Sequence, residues 1–133
     1  MSNPFGPSPT QEIQELIEAR KFAEADRKAR ARIASTPDDP DLHALRASAL
    51  LPMGKFDIAE KELRKCIELR PHEVTPWLNY GRFLQQTNRW GDALTHYANA
   101  VRSFPGEPQV IMTFGQLLQR MGKFAEAEAA YRK

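Results

Sequence analysis

The sequence is short of the features that mark several classes of protein. It has a single cysteine, Cys66, so no disulfide can form within the chain. The 19 basic residues oppose 17 acidic ones, and a formal net charge of +2 is too small to indicate a nucleic-acid or anionic-membrane partner. No apolar run has the length of a signal peptide or a membrane span. We therefore expect one cytoplasmic domain of 133 residues.

Catalytic and metal-binding signatures are also missing. There is no HExxH motif, no cysteine pair and no glycine-rich phosphate loop. The three histidines are scattered along the chain. We predict no catalytic residue, no metal ligand and no cofactor, and hence a protein that is not an enzyme.

A 34-residue repeat dominates what is present. Four sets of residues keep this step in one register. They are Phe22, Phe56, Trp90 and Phe124; Ala25, Ala59, Ala93 and Ala127; Leu16, Leu50, Leu84 and Leu118; and Pro37, Pro71 and Pro105. Self-similarity at this period indicates stacked helical units, each of which needs neighbours to bury its apolar face.

The clearest repeat spans residues 74–105 and has the pattern of two helices joined by a tight turn. Its apolar and small residues recur at helical spacing: Trp77, Tyr80, Gly81 and Leu84, then Ala93, Tyr97, Ala100 and Val101, with Pro105 at the end. This period and pattern resemble the tetratricopeptide repeat. The resemblance implies an all-α fold, an alpha-alpha superhelix (solenoid) of stacked antiparallel helix hairpins.

The resemblance covers nearly the whole chain as four repeats. We place a flexible lead-in at residues 1–7 and the repeat domain at residues 8–133, with repeats at about 8–37, 40–71, 74–105 and 108–133. The first repeat is degenerate, because Glu12 and Arg32 stand where the third repeat has Tyr80 and Ala100. The fourth stops at Lys133 before its pattern is complete. We expect a piece of a longer protein, with fraying and self-association through this open C-terminal repeat.

Individual residues predict where helices begin and end. Ser8 and Asp39 are expected to cap the helices that follow, each with a proline as the next residue. Pro52 is expected to tighten or kink the last turn of a helix. Left-handed backbone is expected at three residues of one register, which are Gly54, Asn88 and Gly122.

The side chains that could take part in catalysis fall on repeat positions that are expected either to pack in the core or to face solvent. Cys66 falls on an apolar helix face, and His43 takes the position that Trp77 holds one repeat later. Cys66, His43 and Trp77 are therefore all expected in the core. Solvated outer faces of second helices are expected to carry four carboxylates, Glu60, Glu62, Glu126 and Glu128.

By the resemblance, the first helices of the repeats line a concave groove. Its positions in the second repeat, among them Asp41, Ala44 and Leu45, are the most apolar. The third and fourth repeats place five glutamines there, whose amides can bind an extended peptide: Gln85, Gln86, Gln109, Gln116 and Gln119. Two arginines favour an acidic side chain or a C-terminal carboxylate. The residues predicted to form the peptide-binding groove are Thr75, Asn79, Arg82, Gln86, Gln109, Met112, Thr113, Gln116 and Arg120.

The first functional hypothesis is a non-enzymatic protein–protein interaction scaffold that binds a partner protein or peptide in this groove. Family members that hold chaperone C-termini use a clamp of Lys, Asn and Arg, of which only Asn79 is matched here, so a chaperone-tail receptor is not expected. The aromatic residues fall on repeat positions, which argues against a nucleic-acid platform. The alternative is a non-catalytic, substrate-engaging domain of a larger enzyme, with a glycosyltransferase, sulfotransferase or oxygenase domain beyond Lys133.

Overall fold

The structure, a computed structural model, describes residues 8–122, which form seven α-helices and no strand. The helices are α1 (Pro9–Glu18), α2 (Phe22–Ser35), α3 (Pro40–Leu50), α4 (Phe56–Leu69), α5 (Val74–Gln86), α6 (Trp90–Ser103) and α7 (Pro108–Arg120). They make three helix hairpins and one further helix, α7. The lead-in at residues 1–7, the second helix of the fourth repeat, and the fraying and self-association expected at Lys133 lie outside the described residues.

Helix starts follow the predicted caps. The Ser8 hydroxyl accepts a hydrogen bond from the Gln11 N–H at 3.2 Å, and Pro9 is the first residue of α1. The Asp39 carboxylate accepts one from the Asp41 N–H at 3.0 Å at the start of α3. Both caps satisfy backbone donors that a helix leaves unpaired at its N-terminus.

The turns inside the three hairpins are closed by equivalent backbone hydrogen bonds. In each, a backbone N–H after the turn bonds back to a leucine carbonyl: Lys21 to Leu16 (2.8 Å), Lys55 to Leu50 (3.2 Å) and Arg89 to Leu84 (2.8 Å). This closure needs left-handed backbone one residue earlier. The prediction is confirmed at Gly54 (φ 73°), Asn88 (φ 60°) and Gly122 (φ 76°). Arg20 (φ 63°) shares the register and was not predicted, because arginine is not a residue type that favours this conformation.

Pro52 tightens the end of α3, as predicted. Helix α3 ends at Leu50, and the turn that contains Pro52 has three-residue hydrogen bonds from the Met53 N–H to the Leu50 carbonyl (3.1 Å) and from the Gly54 N–H to the Leu51 carbonyl (3.0 Å). A proline has no N–H to donate to the carbonyl of Ser48, four residues earlier, and the helix stops before that bond would be needed. Phe56, the first residue of α4, is 46% exposed, although the residues at 34-residue steps from it are all apolar.

The chain divides into two compact units, Met1–His72 and Glu73–Lys133, which we call the N-terminal and C-terminal units. In the N-terminal unit, α3 packs against α1, α2 and α4. Small residues at the contacts let the helices approach closely. The core cluster of this unit consists of Ile13, Ala25, Ala29, Leu42 and Ala49, with Leu16, Ile17, Ile33 and Leu45 packed around it.

The N-terminal unit also buries a network of charged side chains. Arg46 of α3 donates to Asp26 of α2 (Nε–Oδ1 2.8 Å) and to Glu62 of α4 (Nη1–Oε1 3.2 Å). The buried His43 has Nδ1 2.6 Å from Glu62 Oε2 and Nε2 2.7 Å from the Pro37 carbonyl oxygen. The prediction that Glu62 is solvated was therefore wrong: it points inward, where Arg46 and His43 compensate the cost of burying its charge.

In the C-terminal unit, α6 packs against both α5 and α7. Its core includes Tyr97, Phe83, Leu117 and Leu118, each at most 2% exposed. The contact between α5 and α6 depends on Gly81, because a Cβ at this position would stand 2.3 Å from the Cζ atom of Tyr97. The close packing of these two helices therefore explains why a glycine stands at position 81.

Candidate functional site

A cavity of about 430 Å³ lies between α5 and α7 in the C-terminal unit, and we call it the glutamine groove. It is lined by Gln85 from α5 and by Thr113, Gln116, Leu117, Gln119 and Arg120 from α7. Leu117 is 1% exposed and forms an apolar floor. The described wall therefore offers three primary amides, a hydroxyl and a guanidinium, and no carboxylate.

The groove brings together part of the predicted site. Thr113, Gln116 and Arg120 were predicted as peptide-binding residues, and Gln85 and Gln119 belong to the predicted set of five glutamines. The other predicted residues do not line this cavity, although each is at least partly exposed on the same two helices. They are Thr75, Asn79, Arg82 and Gln86 on α5, and Gln109 and Met112 on α7.

Contacts with the core fix the orientation of Gln85. Its Nε2 donates a hydrogen bond to the hydroxyl of Tyr97 at 3.1 Å. Burial raises the pKa of Tyr97, so the phenol stays protonated at neutral pH. Since Tyr97 is 2% exposed, this contact ties one groove amide to the rigid interior of the unit.

Thr113 is oriented by its own helix. Its hydroxyl donates to the Gln109 carbonyl at 2.7 Å, which leaves the lone pairs of the oxygen available as acceptors. Gln116 follows Thr113 by one turn and Arg120 follows Gln116 by another, so the three side chains share one helix face. A row of polar side chains therefore runs along α7 next to the amide of Gln85.

Arg120 is shared between the glutamine groove and a second cavity. Its guanidinium carbon lies 5.5 Å from the centroid of the Trp90 ring, a cation–π contact. Among the described residues, no carboxylate pairs with it. The second cavity, of about 400 Å³, is lined in the described chain by Trp90, Arg120 and Met121, and we call it the Trp90 pocket. Sequence reasoning missed this pocket, because the position of Trp90 in the 34-residue repeat indicated packing alone.

An aromatic cluster joins α5 to α6. The His96 ring stacks on Trp77 (ring centroids 5.2 Å apart) and lies 5.0 Å from the Tyr80 ring. Its Nε2 donates to the Trp77 carbonyl oxygen at 2.7 Å, and burial lowers the pKa of His96. Trp77 was predicted to be buried but is half-buried, with its indole ring against α6 and against Phe104 at 5.8 Å.

The positions of Tyr80 and His96, which contact each other, hold different residue pairs in the other repeats. Tyr80 and His96 of the third repeat correspond to Arg46 and Glu62 of the second, which form an ion pair instead. In the first repeat the corresponding pair is Glu12 and Lys28, again an ion pair. The apolar repeat pattern did not reveal this pairing, although the 34-residue spacing could have shown it.

The N-terminal unit has a groove of its own between α1 and α3. This cavity, of about 390 Å³, is lined by Thr10, Gln11, Gln14, Asp41, Ala44 and Leu45. The last three belong to the groove positions predicted for the second repeat. With Asp41 in its wall, it lacks the cationic character that Arg120 gives to the glutamine groove.

The remaining candidates for chemistry have structural surroundings. Cys66 is 4% exposed, donates to the Pro40 carbonyl at 3.4 Å, and has its pKa raised to about 11, mainly by burial. Its predicted place in the core is confirmed. Within residues 8–122, no three His, Cys, Asp or Glu side chains are grouped as metal ligands. None of the helices in this range is both long and apolar enough to cross a membrane.

Known proteins resemble this chain in sequence and in fold. Family models described as tetratricopeptide repeat match residues 45–108 and 108–133. A TPR repeat-containing protein of Dictyostelium discoideum is 29% identical over 104 residues, which cover 73% of this chain and 40% of that protein. The chain spans less than half the length of the curated relatives it matches.

Two solved structures illustrate the fold. The crystal structure of MamA gives a TM-score of 0.75 at 13% identity, over 93% of this chain and 72% of that one. The first TPR of Spaghetti (RPAP3), bound to the HSP90 peptide SRMEEVD, gives 0.69 at 18% identity, over 86% of this chain and 93% of that one. The predicted all-α solenoid class is confirmed, and the chain belongs to the tetratricopeptide-repeat family.

Proposed function

We propose that this chain is a non-enzymatic protein–protein interaction module whose glutamine groove binds an extended segment of a partner protein. The observation that carries the proposal is the convergence of Gln85, Gln116 and Gln119 with Arg120 on one cavity. Tetratricopeptide repeats form interaction surfaces of this kind, and the RPAP3 domain of similar fold is solved with a peptide bound.

Primary amides suit an extended peptide because each provides both donors and an acceptor. The backbone of an extended segment has unpaired N–H and C=O groups on both edges. Gln85, fixed by its bond to Tyr97, keeps Oε1 as an acceptor for a peptide N–H. Gln116 and Gln119, both exposed on α7, can meet peptide carbonyl groups with their N–H donors.

The charge of the groove favours an anionic group on the partner. Arg120 brings a cation to a wall whose described residues include no carboxylate. An acidic side chain or a C-terminal carboxylate would gain a charge-assisted hydrogen bond there. We do not propose a chaperone-tail receptor, because only Asn79 matches the clamp residues of that class.

The function of the intact protein is a wider proposal. A cytoplasmic scaffold that binds neither nucleic acid nor membrane agrees with the net charge of +2. The second candidate, a substrate-engaging domain of a larger enzyme, would use the same groove for a segment of its substrate. Sequencing the gene beyond Lys133 would distinguish the two, since only the second candidate requires a catalytic domain there.

Selection of peptides on the protein tests the groove directly. A displayed library of random octapeptides is selected on the full chain, and dissociation constants of the selected peptides are measured for Arg120→Gln, Gln116→Ala and Arg102→Gln. Arg102 is the matched control, an exposed arginine of α6 that lines neither cavity. The Arg82→Gln variant tests the predicted residues of α5 that lie outside the cavity.

The expected result is a loss of affinity of about tenfold or more in Arg120→Gln, because a charge-assisted hydrogen bond contributes about 1.5–3 kcal/mol. Arg102→Gln should bind as the wild type does, and melting curves of all variants should agree. The proposal is contradicted if no peptide is selected, or if the selected peptides bind equally well to Arg120→Gln and Gln116→Ala.

A further inference from the structure

The cavity of about 390 Å³ between α1 and α3, which we call the N-terminal groove, differs in charge from the glutamine groove. Its wall consists of Thr10, Gln11 and Gln14 from α1 and of Asp41, Ala44 and Leu45 from α3. These described residues include a carboxylate and no Lys, Arg or His side chain. The two grooves share no residue and lie in different units, so each has its own ligand preference.

The polar groups of this wall are available mainly as hydrogen-bond acceptors. The exposed Gln14 donates from Nε2 to Glu18 Oε1 at 3.4 Å, which leaves its own Oε1 free to accept. The carboxylate of Asp41 is exposed and makes no ion pair with any cation of the described chain. A ligand group rich in donors, such as an ammonium or a guanidinium, matches these acceptors.

The groove lies at the first turns of α1 and α3, where free backbone N–H groups would attract an anion. Capping uses two of these donors: the Gln11 N–H bonds to the Ser8 hydroxyl (3.2 Å) and the Asp41 N–H to the Asp39 carboxylate (3.0 Å). Asp39 and Asp41 also place two negative charges at the start of α3, which exceed the half positive charge of a helix N-terminus. The local charge therefore favours a cation.

The other side of the wall is apolar. Ala44 and Leu45 are half-buried on α3, and Leu45 packs against the core cluster of the N-terminal unit. Lysine and arginine side chains lay their methylene stems along apolar surface and keep the charged head near polar groups. The apolar residues and Asp41, one turn apart on the same helix, match the two parts of such a side chain.

We propose that the N-terminal groove binds a Lys or Arg side chain of a partner protein. Its methylene stem lies on Ala44 and Leu45, and its charged group is bound by the Asp41 carboxylate and the Gln14 amide oxygen. This site is separate from the glutamine groove and does not depend on it. The partner segment bound by the N-terminal unit is therefore basic at this point, whereas the glutamine groove favours an anion.

Peptide selection on a protein with an altered glutamine groove tests the site. A displayed library of random octapeptides is selected on the full chain carrying Arg120→Gln and Gln116→Ala. Dissociation constants of the selected peptides, and of copies in which each Lys or Arg is replaced by Gln, are measured for this protein and after adding Asp41→Asn or Asp57→Asn. Asp57 is the matched control, because it is exposed, is the second residue of its helix as Asp41 is, and lines neither groove.

We expect the selected peptides to contain Lys or Arg, and Asp41→Asn to weaken their binding about three- to tenfold, less than a buried charge pair would give. The Gln copies should not distinguish Asp41→Asn from its parent, because a double-mutant cycle isolates the pair. Asp57→Asn should bind as its parent does, and circular dichroism should show all variants folded.

The site is refuted if no peptide is selected, if the selected peptides lack a basic residue, or if Asp41→Asn and Asp57→Asn bind them alike. None of these results bears on the glutamine groove, because the selection is made on a protein in which two of its residues are replaced.

Discussion

The close approach of α5 and α6 can be tested by adding one methyl group at Gly81. A Cβ there would stand 2.3 Å from Tyr97 Cζ and 2.4 Å from its hydroxyl oxygen. Tyr97 is 2% exposed, so its ring cannot swing into solvent without emptying its place in the core. The Gly81→Ala variant must shift the ring or separate the two helices.

The expected cost follows from two contributions. Overpacking of a filled core costs about 1–3 kcal/mol. Displacement of the Tyr97 hydroxyl also breaks its bond with Gln85, which adds about 0.5–1.5 kcal/mol. In a helix, alanine is more stable than glycine by up to about 1 kcal/mol, which offsets part of this cost. A second helical glycine of the same unit, Gly91, provides the control for that gain, because a Cβ there meets nothing within 4 Å.

Urea unfolding, followed by circular dichroism, gives the free energy of unfolding of each variant. Gly91→Ala should be as stable as the wild type or more stable. Gly81→Ala should be less stable than Gly91→Ala by about 1.5–4.5 kcal/mol, the sum of the two costs. Equal stability of the two variants would show that Tyr97 does not occupy the space beside Gly81.

Three further predictions concern buried polar groups. The Cys66 thiol, with its pKa raised to about 11 by burial, should resist a thiol reagent at pH 7.5 and react once the protein is unfolded in guanidinium; rapid labelling of the folded protein would refute its burial. Because the pKa of the half-buried His96 lies below its unfolded value of 6.5, its neutral ring stabilises the fold fully above that pH and less as pH falls below it; melting temperatures should decrease on acidification, and His96→Asn should weaken this decrease whereas His72→Asn at an exposed site should not. Glu62→Ala should cost about 3–5 kcal/mol in free energy of unfolding, because it leaves the charges of a buried network unpaired, while Glu68→Ala at the surface should cost less than about 1 kcal/mol; similar values for the two would contradict the network.

The helices and their turns could be predicted because the 34-residue pattern determines where apolar faces and left-handed residues fall. Gly54 and Asn88 were identified from residue type, whereas Arg20 adopts the same conformation only because the surrounding turn imposes it. Glu62 could not be placed in the core from an apolar pattern. Its burial depends on Arg46, a partner 16 residues away across the hairpin.

The lining of the glutamine groove was predicted only in part, since three of the nine residues predicted for the peptide-binding groove line it. Gln116 and Arg120, which line the cavity, were predicted from the groove positions that the tetratricopeptide-repeat resemblance implies. Gln85, not Gln86, lines the cavity, and the bond of Gln85 to Tyr97 is a contact that a linear pattern cannot show. The Trp90 pocket depends on a contact between the first residue of one helix and the last residue of the next.

The measurement that tests the central claim most directly is a nuclear magnetic resonance titration of the full chain with a peptide selected on it. Side-chain amide signals report on the glutamines themselves. The largest shifts are predicted at Gln85, Gln116 and Gln119, whereas Asn99, exposed on α6, should not move. Large shifts at Asn99 with unchanged signals from the three glutamines would contradict the claim that the glutamine groove is the binding site.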